Sequence, residues 1–524
     1  MRRKGSNTKP NIVFIYADDL GRGMLSCYSQ RHYRTPNIDR LAAEGMRCTR
    51  AYGCALCAPA RAALLTGVHD SHAGRWTFNR SGLYNEYLAG RQTQAQIEEL
   101  LCNTGIRPRE GDLFLAEIAR QAGLITGQIG KLEWGFSTCD REIRRHGWDY
   151  HYGYYDHGQC HGFYPPYVFE DGRRVDIPGN TDPTFGKGHY GPFPNGEVEH
   201  NAVGRAVHSQ DLYDAKIVEF LRRHQEKPFL LYHPTQLPHG PVYFPDLDPQ
   251  VAHNPALTRV EKEYASMVLR LDRTVGLILD TLRTLGLEER TLVIFTSDNG
   301  HWPCYEQPGR CYARQTLDEA WLDDVTTKFH SDRCGDILDG NDGMAGLKTS
   351  NWEGATRVPF LARWPGRVPA GSISERLIAN FDMLATVADL AGIPLPQGAT
   401  DGLSLLPALR GDPEAPEHDH IVYSSHYGPS LVTRDGWKLR TFVRRNRILD
   451  FGTFGASLDD LREAFTLQLY RLTDDYREER DLAAAHPEKR AELLGKLLQS
   501  CDGNLANGTP EAHFAFYPLA PMGV

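Results

Sequence analysis

Short apolar runs that end in polar clusters recur along this chain and alternate with stretches of helical periodicity. Residues 12–16 (IVFIY) run into Asp18-Asp19, and residues 228–232 (PFLLY) into a polar loop, HPTQLPHGP. Residues 292–295 (LVIF) lead to Ser297-Asp298-Asn299-Gly300. Runs of this length predict buried strands. Residues 37–45 read as a helix. Tyr264, Val268, Leu271, Val275, Ile278 and Leu282 recur at three- and four-residue steps, which predicts a long amphipathic helix closed by Gly286. The alternation implies an α/β fold: a large, mostly parallel central sheet flanked by helices on both faces.

The pattern breaks at residues 411–420 (GDPEAPEHDH). Beyond it HIVYSS, LVTRDGWKLRTF and LQLYRLT read as strands and PEKRAELLGKLLQS as a final helix. We therefore expect a large α/β domain over 1–415 and a small C-terminal α+β subdomain over 416–524. Residues 135–215, rich in Gly, His, Tyr and Pro, are expected to form a loop-rich insertion near the site.

Composition narrows the function classes. The chain has 524 residues, 41% apolar and 24% charged, which excludes a wholly disordered or collagen-like protein. A net charge of −9 argues against general nucleic-acid binding. No apolar run approaches a membrane span. The apolar stretch at 12–17 is too short for a signal-peptide core, so the chain as written reads as cytoplasmic, or as periplasmic or secreted if a leader was trimmed. Eleven cysteines are too sparse for a disulfide scaffold, and the odd count leaves at least one thiol free, modified or paired elsewhere.

Asp18-Asp19 and Asp298-Asn299 stand at the ends of two expected strands, where ligands collect in open parallel sheets. Three carboxylates and an amide suit Ca²⁺ or Mg²⁺ better than zinc. Taken singly, each pair reads more readily as a helix cap or a turn than as a metal pair, Asn-Gly tolerating a positive φ. The segment Cys57-Ala58-Pro59-Ala60-Arg61, followed by Leu64-Leu65-Thr66-Gly67, decides between these readings. Cys54-x-x-Cys57 alone would suggest a redox or zinc pair, but no second such pair exists and Cys304, Cys311 and Cys334 lack zinc-finger spacing.

Cys-x-Pro-x-Arg with Leu-Thr-Gly resembles the signature of the type I sulfatases, a family of alkaline-phosphatase-like fold. In that family the cysteine is oxidised by a maturation enzyme to formylglycine, whose hydrated aldehyde is the nucleophile. The resemblance continues in order. Asp18-Asp19-Leu20-Gly21 and Ser297-Asp298-Asn299-Gly300 look like the two metal pairs, with Cys57 completing the set. Pro238-His239-Gly240-Pro241 looks like the Pro-His-x-Pro whose histidine protonates the leaving oxygen. Gly346-Leu347-Lys348, with Glu353-Gly354 and Arg357-Val358-Pro359, resembles the sulfate-binding lysine and its downstream signature. The resemblance implies one divalent cation, Ca²⁺ or Mg²⁺, with Arg61, Lys131 and Lys348 holding the sulfate and His239 as general acid.

One position departs. Gly130-Lys131-Leu132-Glu133-Trp134-Gly135 matches a stretch usually written Gly-Lys-x-His-x-Gly, so Glu133 replaces a histidine that acts as base. Glu133 is expected to serve as the base, its pKa raised by burial. The alternatives are His157 or His161 from the loop-rich segment, or an ion pair of Glu133 with Lys131 or Arg61.

Residues 147–180 resemble a stretch of bacterial glycan-acting sulfatases, and their Tyr and His side chains suit stacking on sugars. His301, Trp302 and the 310–333 region are expected at the pocket rim. The expected function is hydrolysis of sulfate monoesters on a sulfated small molecule or oligosaccharide. A phosphonate or phosphate ester hydrolase, or a non-catalytic glycan-binding relative, is the rival. One metal set rather than two weighs against the first rival, and intact Lys131, His239 and Lys348 against the second.

Overall fold

The computed structural model describes residues 9–75, 81–104, 111–188, 191–198, 200–311, 328–443 and 465–508. Of the sequence expectations, residues 312–327 of the rim region and the terminal 509–524 fall outside the described residues.

The central strand is β1 (Asn11–Ala17), buried along its whole length. The others in this sheet are β2 (Met46–Tyr52), β3 (Ile125–Gly130), β4 (Tyr150–Gly153), β5 (Tyr167–Glu170), β6 (Arg173–Asp176), β7 (Phe229–Pro234), β8 (Thr291–Ser297), β9 (Arg357–Arg363), β10 (Ser372–Ser374) and β11 (Ile378–Ala379). Their order is β10-β2-β9-β8-β1-β7-β3-β4-β5-β6, with β11 also paired to β2. β8, β1, β7, β3 and β4 are mutually parallel. β9 runs against both β8 and β2, so β2 shares the direction of the parallel set. β10 and β11 run with β2, and β6 runs with β4, so nine of the eleven strands point their carboxyl ends the same way, toward the edge where a ligand site is expected in this architecture.

Side chains of β1 alternate between two helical layers. Ile12 and Phe14 lie with Leu64, Leu115 and Met383, from the layer of helices Cys57–Thr66, Leu115–Gln121 and Asp382–Ala391. On the opposite face Phe220, in helix Ser209–Arg223, packs so closely on Gly127 that a Cβ there would meet it at 2.4 Å. The same layer holds the amphipathic helix, Arg259–Thr284, which starts in a Thr258/Glu261 capping box; Gly286, just beyond its end, takes the left-handed φ of 67°. The mostly parallel sheet flanked by helices is the fold class expected from the pattern.

Residues 135–215 are not only loop: β4, β5 and β6 extend the sheet edge, and helix Ser209–Arg223 begins there. These strands are four residues each, too short for alternation to be seen in sequence. A second, antiparallel sheet follows, in the order β12 (His420–Tyr423), β13 (Ser430–Thr433), β14 (Trp437–Val443), β15 (Phe465–Arg471). LVTRDGWKLRTF divides into two strands at Gly436, where φ is 88°. Helix Pro487–Ser500 closes this sheet through Leu493 and Leu497 against Leu431, Leu439 and Leu469.

Candidate active site

The site is assembled at the carboxyl edge of the sheet, one residue set per strand. Asp18 and Asp19 leave β1, and Asp19 sits at φ 60°, a left-handed conformation that Asp adopts more readily than most residues. The adjoining loop holds it there: Asp19 N–H donates to Asp298 Oδ1 at 3.1 Å, and Leu20 N–H to Ser297 Oγ at 3.0 Å. Gly300, after Asp298-Asn299, has a different reason to be glycine than a positive φ. A Cβ there would stand 1.9 Å from the Gly354 carbonyl oxygen, so the residue type records a close backbone approach.

Cys57 is the first residue of helix Cys57–Thr66, and Arg61 lies one turn further on the same face. Gly67 ends the helix at φ 69°, and Pro59 falls in the first turn, where its missing N–H costs nothing. The Cys57 thiol, the precursor of any oxidised form, donates to Asp18 Oδ1 at 3.2 Å and lies 3.6 Å from Asn299 Oδ1. Lys348 Nζ donates to the same sulfur at 3.1 Å and lies 2.7 Å from Asp19 Oδ1. Arg61 stands over the Tyr16 ring and reaches Asp298 at 3.3 Å and Asp18 at 3.5 Å. Lys131, just past β3, pairs directly with Asp18.

Three buried carboxylates thus face three cations. Burial works against Asp18, yet Lys131, His239 and Arg61 hold its carboxyl well below the usual range. Asp298 shows the opposite balance: burial, then repulsion from Asp18, push it up to about 7. Burial and the same carboxylates push the Cys57 thiol well up. Donor atoms of Asp18, Asp19, Cys57 and His239 lie within 4.8 Å of one another, with Asp298 and Asn299 adjoining. Hard oxygen donors of net negative charge, one of them crowded by its neighbour, fit a divalent cation such as Ca²⁺ or Mg²⁺.

His239 reaches the same centre from the loop after β7. Its Nδ1 lies 2.6 Å from the Gly240 carbonyl oxygen, which can only accept, so Nδ1 carries the proton. Nε2 faces Asp19 at 3.5 Å. Burial lowers this imidazole, and Asp19 works against that. His157 and His161 also arrive here, His161 lying flat on His239 with ring centroids 4.4 Å apart. The candidates Asp18, Asp19, Cys57, Arg61, Lys131, His239, Asp298, Asn299 and Lys348 are therefore brought together.

Glu133 is placed differently. Its carboxylate, fully buried, accepts from Trp148 Nε1–H at 2.9 Å and pairs with His146 Nδ1 at 2.9 and 3.0 Å. His146 is stacked on Phe114 and Trp148 on Tyr232. Among the described residues this carboxylate meets His146 and Trp148, not Lys131 or Arg61. His301 is no rim residue: it is fully buried beneath the site, bonded to Tyr305 and Tyr264 hydroxyls at 2.8 and 3.3 Å.

The family model described as "Sulfatase" matches residues 10–393, and that of "N-sulphoglucosamine sulphohydrolase, C-terminal" matches 348–442. The chain is 33% identical over 412 residues to the N-acetylgalactosamine-6-sulfatase of Canis lupus familiaris, covering 78% of this chain and 67% of that protein. It is 29% identical to the N-acetylgalactosamine-6-O-sulfatase of Bacteroides thetaiotaomicron, over 95% and 94% of the two chains. A solved structure from work on glycosaminoglycan metabolism by the same bacterium superposes with a TM-score of 0.64 at 27% identity, covering 95% of this chain and all of that one.

Proposed function

Because the chain belongs to the sulfatase family, and is thereby a sulfuric ester hydrolase, we propose that it acts on O-sulfated carbohydrates, 6-O-sulfated N-acetylgalactosamine first among them. The observation that carries the site assignment is the placing of Lys348 against both Cys57 and Asp19, which joins the nucleophile's position to the metal donors.

The Cys57 side chain, oxidised to formylglycine by a maturation enzyme, supplies a hydrated aldehyde as nucleophile. Asp18, Asp19, Asp298, Asn299 and the oxidised Cys57 side chain would hold a divalent cation, which when bound would supply Lewis acidity toward the sulfate. The remaining work belongs to the chain. Asp18, Asp19 and Asp298 face Arg61, Lys131 and Lys348, so a bound cation would leave the pocket positive and suited to an anionic ester. Arg61, Lys131 and Lys348 then orient the sulfate and stabilise the charge that grows on its oxygens. His239 offers Nε2 to the leaving oxygen as general acid, and the ester's own negative charge offsets the burial that lowers this imidazole. Glu133, with both oxygens engaged by His146 and Trp148, steadies the loop that presents Lys131. A glycan substrate fits action in the periplasm or outside the cell. No helix among the described residues is long and apolar enough to cross a membrane.

The test joins two measurements on one preparation. Mass spectrometry of the Cys57 peptide should show a loss of about 18 Da, the change from thiol to aldehyde. Sulfate release should be faster from N-acetylgalactosamine 6-sulfate than from 4-nitrophenyl sulfate or a phosphonate ester. A converted peptide with no release from any sulfated sugar would sink the proposal.

A further inference from the structure

Four rings run in contact from the loop after β3 to His239. Phe136 meets His157 edge-on at 5.0 Å and 68°, and His157 meets His161 edge-on at 4.4 Å and 75°. His161 lies flat against His239 at 4.4 Å and 11°. The far end of this row is tied to the backbone rather than to the pocket. His157 N–H donates to the Phe136 carbonyl at 2.7 Å, and the Cys160 thiol to the His157 carbonyl at 3.2 Å. The turn itself hangs on Asp156, whose buried carboxylate accepts from Gly82, Tyr84 and Gly158 N–H groups at 2.9, 3.1 and 2.8 Å.

His239 has a use for such a support. Its bond to Gly240 fixes one ring atom, which sets the tautomer but leaves the plane of the ring free to tilt. A proton donor must stand within hydrogen-bond reach of the leaving oxygen, and small misplacements are costly. A flat, anchored neighbour on one face removes the tilt. Burial holds His157 and His161 well below the ordinary imidazole value, so the support is neutral and adds no charge beside the acid.

We propose that His161 is a positioning residue for His239, its ring serving as the flat wall of a bracket anchored through His157 and Phe136. The proposal rests on His239 being the general acid of the sulfatase reaction. What matters is the plane of the ring, so phenylalanine should replace it and leucine should not.

The experiment compares His161→Ala, His161→Leu, His161→Phe and His239→Ala on two esters. N-acetylgalactosamine 6-sulfate has a poor leaving group that needs a proton; 4-nitrophenyl sulfate has a good one that hardly does. We expect His161→Ala and His161→Leu to lower kcat on the sugar sulfate roughly 10- to 100-fold at nearly constant KM, and on the nitrophenyl ester far less. His161→Phe should recover most of the loss. Equal losses on both esters, a change confined to KM, or a phenylalanine variant no better than leucine would overturn the bracket. Should His239→Ala itself show no preference between the esters, the acid assignment falls and the bracket with it. If only the His161 variants lack the preference, the acid stands and the bracket alone fails.

Discussion

Lys131 and Asp18 form an ion pair in which both side chains are fully withdrawn from solvent. Removing one partner from such a pair leaves a buried, uncompensated charge, a loss of about 3–5 kcal/mol. Arg61 at 3.5 Å and His239 compensate Asp18 in part, and the divalent cation of the proposed centre would add to them. Lys131→Met should therefore unfold at a much lower temperature than the parent in chelator and recover a large part of the difference in excess Ca²⁺. The parent, already balanced, should shift less. Thermal melts of both proteins with and without the ion decide it; equal shifts would mean that Asp18 does not face a cation.

Much of this centre can be read from sequence because its parts sit directly after strands. Asp18-Asp19 and Asp298-Asn299 follow apolar runs whose register fixes where they emerge, and Cys57 and Arg61 share a helix face by spacing alone. What could not be read depends on contacts without periodicity. His146 and Trp148 hold Glu133 from 13 and 15 residues away, across an intervening helix, Asp140–Arg145. The approach of His161 to His239 is set by the turn around Asp156, which no sequence spacing announces.

Glu133→Gln separates a base from a brace. A brace loses one charge-assisted hydrogen bond and keeps its packing, so unfolding free energy should fall by about 1–3 kcal/mol. Hydrolysis per folded molecule should then drop less than about tenfold, whereas loss of a general base costs on the order of 100-fold or more. Urea unfolding and kcat on the same samples give the answer. A hundredfold loss of kcat with unchanged stability would make Glu133 the base.

His72 gives the protein a pH-dependent tie away from the active site. Its Nδ1 lies 2.8 Å from Asp502 and its Nε2 3.3 Å from Asp401, so it clasps two distant segments. Burial acts against the charged ring, but the two carboxylates raise its pKa above the ordinary imidazole value. A raised histidine contributes stability that is fully present below about pH 6.5 and is lost as pH climbs through the folded value. Asp401, held at about 2 despite its burial, contributes above about pH 4 and loses that only toward pH 2. His69, stacked on His72 and lowered to about 4 by burial, has the opposite sign below pH 6.5 but is present in parent and variant alike. The cost of His72→Gln in urea unfolding should thus be larger at pH 5.5 than at pH 8.5. The same cost at both pH values would rule out a charged His72.

Lys438 joins the two sheets by the same physics that holds Lys131. From β14 it reaches Glu353 at 3.0 Å and Glu478 at 2.8 Å, and all three side chains are fully buried. Glu353 has further support, from the Tyr52 hydroxyl at 2.7 Å and Arg357 at 3.5 Å. Glu478 is the more exposed to loss of the lysine, since burial already pushes its carboxyl up. Lys438→Met should cost about 3–5 kcal/mol by leaving two carboxylates facing one another. Adding Glu478→Gln removes the less supported charge, so the double variant should be more stable than Lys438→Met alone, a coupling of about 1 kcal/mol or more. Urea unfolding of the parent, both single variants and the double variant closes the cycle. If the two losses simply add, Lys438 and Glu478 do not act on one another, and the junction between the sheets is held by packing of Tyr52, Trp352, Tyr423 and Tyr470 instead.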